Sequence, residues 1–183
     1  MAITPWKVLS SRRLIDDRWM SLRADRCEGP RGVVLDPYYV QQPPDWVQVV
    51  AFDPDDRVLI LRQYRHGAGV ISTELPCGTL EPGERPIDGM RRELLEETGC
   101  VASSLVLAGS LSPNPARYTN RVHTFVATGT LQVQAQHLDP TEEAEFTFMP
   151  LAEVLGLVDS GAFLQALHVA ALFLALRHRG AIT

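Results

Sequence analysis

The spacing of apolar and polar positions changes its period several times along the chain. Three short runs of mixed alternation, at residues 7–15, 19–27 and 33–40, are separated by turn-forming residues at 16–17 and 29–32. Short runs with turns between them predict an antiparallel β meander. Three strands by themselves are marginally stable, so we expect this meander to pack on another surface.

A pair of prolines marks the first predicted boundary. Pro43 and Pro44 follow two glutamines, and paired prolines interrupt both helices and strand ladders. We therefore predict a small N-terminal meander at residues 1–43 and a larger domain at residues 44–183. A chain of 183 residues suits one domain with a small appendage.

The larger part begins with two apolar, β-branched runs at residues 46–53 and 57–63, joined by Pro54-Asp55-Asp56. This arrangement predicts two strands that pair around a turn within a central sheet. Further strands are predicted at residues 71–75, 105–111, 121–127 and 146–149. A polar loop, residues 112–120, separates two of them.

Two helices are predicted among these strands. Pro86 suits a first helical turn, Asp88 lies near its positive end, and Gly99 is a typical stop. The apolar stripe of this helix is Met90, Leu94 and Leu95. A second amphipathic pattern predicts a helix at residues 160–179 that stops at Gly180.

Composition narrows the class of protein. The formal net charge is -5 and the sequence pI is about 5.5, the wrong sign for a protein that neutralises many phosphates of a nucleic acid. The longest apolar run, residues 170–176, is far shorter than the ~18 residues of a membrane span. The three cysteines are odd in number and lack framework spacing, which indicates reduced thiols and a cytoplasmic location.

Three carboxylates fall on one face of the first predicted helix. Glu93, Glu96 and Glu97 are spaced so that their Cβ atoms lie about 5 to 6 Å apart. Like-charged neighbours cost about 0.2–0.5 kcal/mol per pair, and a hard, oxygen-seeking cation is the simplest compensation. The spacing alone leaves two interpretations open, a solvated acidic face or a site for Mg²⁺ or Mn²⁺.

The surrounding sequence favours the metal site. Residues 78–100 fit the pattern G-x5-E-x7-R-E-U-x-E-E-x-G-U, where U is apolar, at each of its fixed letters. Seven fixed letters, at roughly 7% usage each, coincide by chance at about one start in 10⁸. The segment resembles the Nudix box. Cys100, at the final apolar position, is a departure that a small hydrophobic residue accommodates.

The resemblance implies a fold and a metal site. The expected fold is an α/β/α sandwich with a mixed sheet, extended here by the N-terminal antiparallel meander. The implied metal ligands are Glu93 and Glu97, assisted by Glu96, and the backbone carbonyl of Cys77. Glu84 and Arg92 are implied supports. The implied reaction is hydrolysis of a diphosphate with Mg²⁺, or alternatively Mn²⁺, as cofactor.

Beyond the box, the chain resembles the nucleoside diphosphate sugar branch of the family, the ADP-ribose pyrophosphatases. The resemblance rests on Arg62-Gln63-Tyr64-Arg65, on residues 74–78, on Pro115 and on the meander. It implies a nucleoside diphosphate sugar as substrate, ADP-ribose foremost. Residues 112–121 depart from the Ser-Pro-Gly-acidic pattern of that branch, which leaves GDP-mannose or another nucleotide sugar as an alternative. A non-catalytic Nudix-fold ligand sensor is a third interpretation.

Several other side chains are candidates for substrate binding. Arg62 and Arg65 are predicted to grip the diphosphate because guanidinium forks match phosphate oxygens. Trp19 and Trp46 are candidates for stacking on the base. Arg121 is a candidate for contacting ribose or phosphate. Ordinary surface pairing, core packing and a capped loop are the structural alternatives for these residues.

The general base is expected outside the box helix, whose carboxylates are assigned to cations. Residues 138–145 form an acidic segment that predicts a loop able to close over substrate. In the family that the chain resembles, the base comes from a loop at this place, which implies Glu142 or, second, Glu143. Glu145 is expected to begin the next strand and to face solvent. A solvated acidic loop is the alternative.

The meander also predicts an oligomeric state. An arm of three strands on a proline linker does not easily bury its apolar face alone, and exchanging such an arm is a low-cost route to a symmetric dimer. The family resemblance implies the same. We therefore expect a homodimer in which residues 1–43 pack on the catalytic core of the partner, with small-molecule substrates and neither nucleic acid nor membrane as partners.

Overall fold

The computed structural model describes residues 2–17 and 20–182. The chain forms two compact units, one of Met1–Pro44 with Ser112–Arg121, and one of Asp45–Leu111 with Val122–Thr183. The segment 112–121 was assigned to the larger domain from the sequence, and by its contacts it groups with the N-terminal unit. No helix in the described parts of the chain combines the length and apolarity that a membrane span requires.

The first unit contains a three-stranded antiparallel sheet in the order β1-β2-β3, as the alternation predicted. Its strands are β1 (Lys7–Asp16), β2 (Ser21–Glu28) and β3 (Val34–Gln41), with a short 3-10 helix at Pro30–Gly32. The segment 112–121 joins this sheet at its edge. The backbone N–H of Gln41 donates to the carbonyl of Arg117 at 2.8 Å, and that of Thr119 donates to the carbonyl of Gln41 at 3.2 Å.

The second unit contains a mixed sheet, a second antiparallel sheet and a two-stranded ribbon. Its strands are β4 (Trp46–Ala51), β5 (Arg57–Arg65), β6 (Val70–Glu74), β7 (Cys77–Thr79), β8 (Cys100–Val101), β9 (Ser104–Leu111), β10 (Val122–Thr128), β11 (Leu131–Gln132) and β12 (Ala144–Pro150). Its helices are α1 (Pro86–Thr98), α2 (Leu151–Asp159) and α3 (Ala166–His178). The mixed sheet has the order β7-β4-β10-β9, in which β4 and β10 are parallel. The second sheet has the order β12-β5-β6.

Strand β4 is buried on both faces and divides the apolar core in two. Val47, Val49 and Ala51 pack with Met90 and Leu94 of α1. On the opposite face, the cluster includes Val50, Phe52, Val154, Ala171 and Leu172, the last three from α2 and α3. Since successive strand residues point to opposite faces, this alternation places helices on both sides of the strands. The α/β/α arrangement that the sequence predicted is confirmed.

The predicted pairing of the first two strands in this unit is wrong. Strands β4 and β5 belong to different sheets, and they share a single bridge between Phe52 and Val58 next to the turn. Strand β4 pairs instead with the distant strand β10, while β5 pairs with β6 and β12. Strand β4 after Trp46 and residues 58–61 of β5 are buried on both faces, so their pattern carries no information about the pairing partner.

The C-terminal helix is also shorter than the predicted 160–179, and α2 before it was not predicted. Gly161 has a φ of 76°, in the left-handed region, and the backbone N–H of Phe163 donates to the carbonyl of Leu157 at 3.1 Å. This turn ends α2 and delays the next helix until Ala166. The apolar spacing of Phe163 and Leu164 resembled a helical stripe, but those residues follow the turn.

Candidate active site

Helix α1 carries its apolar and acidic residues on different faces. Pro86 lies in the first turn, and Gly99 ends the helix in the left-handed conformation with its N–H bonded to the Leu95 carbonyl at 2.8 Å. Met90 and Leu94 are buried in the core. The helical period then turns Glu93, Glu96 and Glu97 away from that core and toward a cavity.

Strand β7 lies directly against these carboxylates. The backbone N–H of Cys77 donates a hydrogen bond of 2.9 Å to Glu97 Oε2. A Cβ atom at Gly78 would lie 2.0 to 2.2 Å from the carboxyl atoms of Glu93, closer than any real contact. Residue 78 must therefore be glycine for Glu93 to reach its position. Glu97 contacts the backbone at Cys77, and Glu93 lies against the backbone at Gly78.

Arg92 connects the same carboxylates through its guanidinium group. It donates to both oxygens of Glu84, at 3.0 and 2.9 Å, and to the Thr79 carbonyl at 3.0 Å. It also donates to Glu93 at 2.8 Å and to Glu96 at 3.1 Å. The hydrogen bond to Arg92 lowers the pKa of Glu84, so this supporting pair is charged at neutral pH. The guanidinium fork thus fixes α1 against the loop that precedes it.

The protonation behaviour of the two deeper carboxylates differs from that of Glu84. Burial raises the pKa of Glu97 well above its ordinary value, and the negative charges of Glu93 and Glu142 raise it further. Burial also raises the pKa of Glu93. A cation bound among these oxygens would stabilise their charged forms. The donor set, hard carboxylate oxygens around a glycine-lined cleft, fits Mg²⁺ or Mn²⁺.

A cavity of about 480 Å³ opens in front of the helix. Its walls combine the α1 carboxylates and residues 77–79 with Trp46, Arg65, and Asp139 and Glu142 of the loop before β12. One wall is therefore acidic and another offers a guanidinium. A ligand that contains both cations and phosphate oxygens matches this distribution of charge.

Arg65 reaches the cavity from the end of β5. Its Nε and Nη2 donate to the two oxygens of Glu74 at 2.9 and 2.6 Å. Glu74 is 1% exposed, and burial alone would raise the pKa of Glu74, but contact with His168 and the hydrogen bonds and charge of Arg65 together lower it to about 2. Arg65 is consequently held by an ion pair with a buried carboxylate before any substrate binds.

The structure brings some of the predicted residues together and leaves others apart. Trp46, Arg65, Cys77, the three helix carboxylates and Glu142 line the cavity, whereas Glu143 does not. Arg62 is exposed and lies 3.8 Å from Glu145, whose side chain is 84% exposed. Arg121 is exposed and groups with the first unit, and Trp19 lies outside the described residues. The roles of these residues remain predictions.

Sequence analysis missed the residues that attach the acidic loop. Gln136 Nε2 donates to the carbonyl of Glu97 at 2.6 Å and to that of Ala144 at 3.2 Å. The backbone N–H of His137 donates to the Glu96 carbonyl at 2.8 Å. The loop is therefore anchored to the C-terminal turn of α1. An isolated glutamine and histidine in a polar segment give no periodic signal that would identify such anchors.

The comparison with protein families agrees with the fold. The NUDIX domain family matches residues 43–169, and the nucleoside diphosphate sugar hydrolase N-terminal domain matches residues 6–41. The first match covers most of the chain and includes every α1 carboxylate. The chain belongs to the Nudix hydrolase family.

Individual relatives carry more specific names. The chain is 31% identical over 176 residues to an ADP-ribose pyrophosphatase of Mycobacterium tuberculosis, covering 93% of this chain and 83% of the relative. It is 29% identical over 150 residues to a methanol dehydrogenase activator of Bacillus methanolicus, covering 81% and 80%. The crystal structure of an ADP compounds hydrolase matches with a TM-score of 0.87 at 24% identity, covering 100% of both chains. At that identity the structural match establishes the fold.

Proposed function

We propose that this protein is a Mg²⁺-dependent pyrophosphohydrolase that cleaves the diphosphate of a nucleoside diphosphate sugar, ADP-ribose foremost. The products are a nucleoside monophosphate and a sugar phosphate. One observation carries the proposal: the buried carboxylates of Glu93 and Glu97 face a cavity that Arg65 also lines. The substrate class is supported by the N-terminal family match and by the names of relatives.

The residues that would hold the cation are Glu93, Glu97 and Glu96, with the carbonyl of Cys77. A bound divalent cation would neutralise charge on the diphosphate oxygens and lower the pKa of a water molecule. Mn²⁺ is expected to substitute for Mg²⁺ because it accepts the same oxygen donors. Arg92 keeps the carboxylates at a fixed orientation, and Gly78 leaves room for that of Glu93.

Substrate binding is assigned to Arg65 and Trp46, which line the same cavity. Arg65 offers a positive charge to phosphate oxygens and is already oriented by Glu74, so little side-chain entropy is lost on binding. Trp46 presents a ring at the cavity edge that suits stacking on a base. Arg62 and Arg121 are both exposed. We propose them as further contacts to phosphate or ribose.

The general base is assigned to Glu142. Its carboxylate lines the cavity and contributes to the raised pKa of Glu93 and of Glu97, so it lies near the carboxylates. A proton lost by the attacking water would pass to this carboxylate, which lies on a loop and has freedom to approach. Glu143 is the alternative base, and it lines a neighbouring cavity with Arg62 and Tyr64.

A panel of substrates tests the proposal. ADP-ribose, GDP-mannose, other nucleotide sugars, dinucleoside polyphosphates, coenzyme A and nucleoside triphosphates are each incubated with the protein and Mg²⁺, and products are separated by chromatography. We expect the highest kcat/KM for ADP-ribose, with AMP and ribose phosphate as products. A Glu97→Gln protein purified in parallel controls for contaminating hydrolases.

The panel also separates the alternatives. Preference for GDP-mannose would change the assigned sugar and base but keep the reaction. Hydrolysis of triphosphates or coenzyme A alone would contradict the nucleotide-sugar assignment. Tight binding of a nucleotide sugar without turnover, measured by calorimetry, would indicate a ligand sensor and overturn the proposed activity.

We also propose that the protein is a homodimer, with residues 1–43 packing on the catalytic core of the partner. The strands of the first unit leave large apolar side chains exposed, among them Val8 at 54%, Val34 at 42% and Leu35 at 41%. Apolar surface of this kind is often covered by a partner. Light scattering at micromolar concentration should give twice the chain mass of 20.3 kDa. A mass near that of one chain would contradict the dimer.

A further inference from the structure

Three buried side chains with metal-binding atoms meet beside the cavity that Cys77 lines. Glu74 ends β6, Cys77 begins β7, and His168 lies in the first turn of α3. A carboxylate oxygen, a thiol sulfur and a ring nitrogen from these residues all lie within 4.8 Å of one another. Glu74 is 1% exposed, Cys77 4% and His168 0%. None of the three atoms belongs to the α1 carboxylate group described above.

The tautomer of His168 is determined by a neighbouring amide. Gln48 Nε2 donates to Thr124 Oγ1 at 2.9 Å and to the Leu167 carbonyl at 3.1 Å, which fixes the orientation of the amide. Its Oε1 then faces His168 Nδ1 at 3.0 Å. Because a carbonyl oxygen only accepts, Nδ1 must carry the hydrogen. Burial lowers the pKa of His168, while the adjacent Glu74 carboxylate acts in the opposite direction.

In the neutral ring, Nε2 is left with a lone pair directed into the cluster. This atom is buried and has no hydrogen-bond partner among the described residues. It lies 3.7 Å from Glu74 Oε2, so two acceptors face each other. An unsatisfied buried nitrogen costs about 1–3 kcal/mol, and a carboxylate cannot offset that cost because it also only accepts hydrogen bonds. A cation bound between the nitrogen and the carboxylate would offset it.

We propose that Glu74, the thiol of Cys77 and Nε2 of His168 form a second metal site, which takes a thiophilic divalent ion such as Zn²⁺. Sulfur and imidazole donors favour Zn²⁺ over Mg²⁺. Tetrahedral zinc bonds of about 2.0–2.3 Å place ligand atoms about 3.3–3.8 Å apart. The observed His168–Glu74 separation of 3.7 Å already matches, and the remaining atoms need to approach by about 1 Å at most.

Binding at this site changes two existing interactions. Zinc binds cysteine as the thiolate, so the ion must displace the thiol proton of Cys77, and binding releases one proton to solvent. The ion also competes with Arg65, which now donates to both oxygens of Glu74. One carboxylate oxygen is transferred from the guanidinium to the metal. Arg65, whose Nη2 lies 3.9 Å from Cys77 Sγ, is thereby partly released toward the cavity.

Cobalt spectroscopy tests the site without reference to turnover. Co²⁺ is titrated into the full-length protein in excess Mg²⁺, which keeps hard oxygen sites occupied. We expect one equivalent to produce the near-ultraviolet charge-transfer band of a cobalt thiolate and the visible bands of tetrahedral Co²⁺. Added Zn²⁺ should remove both bands by displacing Co²⁺. Absence of a charge-transfer band in the wild-type protein would overturn the proposal.

Two variants assign the ligands. Cys77→Ala should lose the charge-transfer band, while Cys100→Ala, which removes another buried thiol, should keep it. His168→Gln should retain the thiolate but weaken Co²⁺ affinity at least tenfold, with folding checked by circular dichroism. Persistence of the band in Cys77→Ala would refute the site. Cys77→Ala removes only the thiol group. The charge-transfer band of that variant therefore still tests the site even if His168→Gln does not fold.

Discussion

Two acidic regions line the candidate site, and they are built differently. The carboxylates of α1 are held by backbone and by a guanidinium: Glu97 accepts from Cys77, and Glu93 and Glu96 accept from Arg92. The loop carboxylates of Glu142 and Glu143 are exposed, and Glu142 accepts a hydrogen bond of 3.3 Å from the backbone N–H of Asp139. One region is fixed in its geometry, and the other is attached at its ends and open at its tip.

The difference separates two kinds of catalytic task. Carboxylates that hold a cation work best at fixed positions, and burial makes their bare charged forms unfavourable. A general base must instead approach a water molecule, accept a proton and release it to solvent. Both regions contain clustered glutamates in the sequence. The contacts around those glutamates, rather than the residue type, distinguish the two tasks.

The largest effect is expected from the loop. Glu142→Gln should lower kcat by roughly 10² to 10⁴, because the amide cannot accept the proton, while Mg²⁺ affinity stays near wild type. Steady-state kinetics and a Mg²⁺ titration measure the two quantities. Glu143→Gln should have a much smaller effect, and the exposed Glu145→Gln is the matched control.

The same variants also test whether the loop supplies the base and which glutamate it is. A larger loss of kcat in Glu143→Gln than in Glu142→Gln would transfer the base to the neighbouring position. Wild-type rates in both variants and in the double variant would remove the base from the loop altogether.

The second effect concerns the fixed region. Glu97→Gln should reduce turnover at least 10²-fold while the fold stays intact, because it removes charge and keeps shape. The rate is compared with that of Glu153→Gln, an exposed position on α2. Circular dichroism melting checks the fold. Unchanged steady-state rates in Glu97→Gln would contradict its assignment as a metal ligand.

A smaller effect tests whether Arg92 prepares the carboxylates. Arg92→Lys replaces a planar fork with a point charge and should raise the Mg²⁺ concentration for half-maximal rate about 10-fold to 100-fold. Arg91→Lys is the matched control, since Arg91 is exposed and its ion pair is with Asp88 at 3.7 Å. Equal Mg²⁺ dependence in the two variants would show that the geometry of α1 alone is sufficient.

The smallest effect is on stability. It concerns Glu74, a buried carboxylate paired with the guanidinium of Arg65. Its pKa is lowered from 4.5 to about 2, so its stabilising contribution is present above pH 4.5 and is lost as the pH falls toward 2. A shift of this size corresponds to about 3 kcal/mol. Metal-free Glu74→Gln should therefore show a weaker decrease of unfolding free energy over that range in denaturant titrations. Parallel curves would contradict the ion pair with Arg65.

Local signals in the sequence predicted much of the fold, and long-range pairing escaped them. Pro86 and Gly99 delimit α1 through backbone preferences that act within one turn, so its bounds were predictable. The parallel partner of β4 was not, because continuous burial removes the alternation that would identify a neighbour. Helix α2 was missed although it is rich in apolar residues, because the turn at Gly161 that separates it from α3 was not recognised.

The candidate site followed the same division. The carboxylates of α1 belong to one contiguous motif, so the sequence places them together. Glu142 reaches the cavity through a long connection, and nothing local in the sequence distinguishes it from Glu143. The buried partners Gln48 and His168 lie 120 positions apart. Their contact depends on how α3 packs on β4, which no periodic pattern encodes.

The side chain of Gln136 connects the two acidic regions physically. Its amide connects the carbonyl of Glu97, in the last turn of α1, with the carbonyl of Ala144, the first residue of β12. The tip at residues 139–143 lies between these two attachment points. Fraying of the last turn of α1 would displace both the cation ligands and the loop that carries the base. The two halves of the site therefore share one unfolding unit, and heat should inactivate them together rather than in sequence.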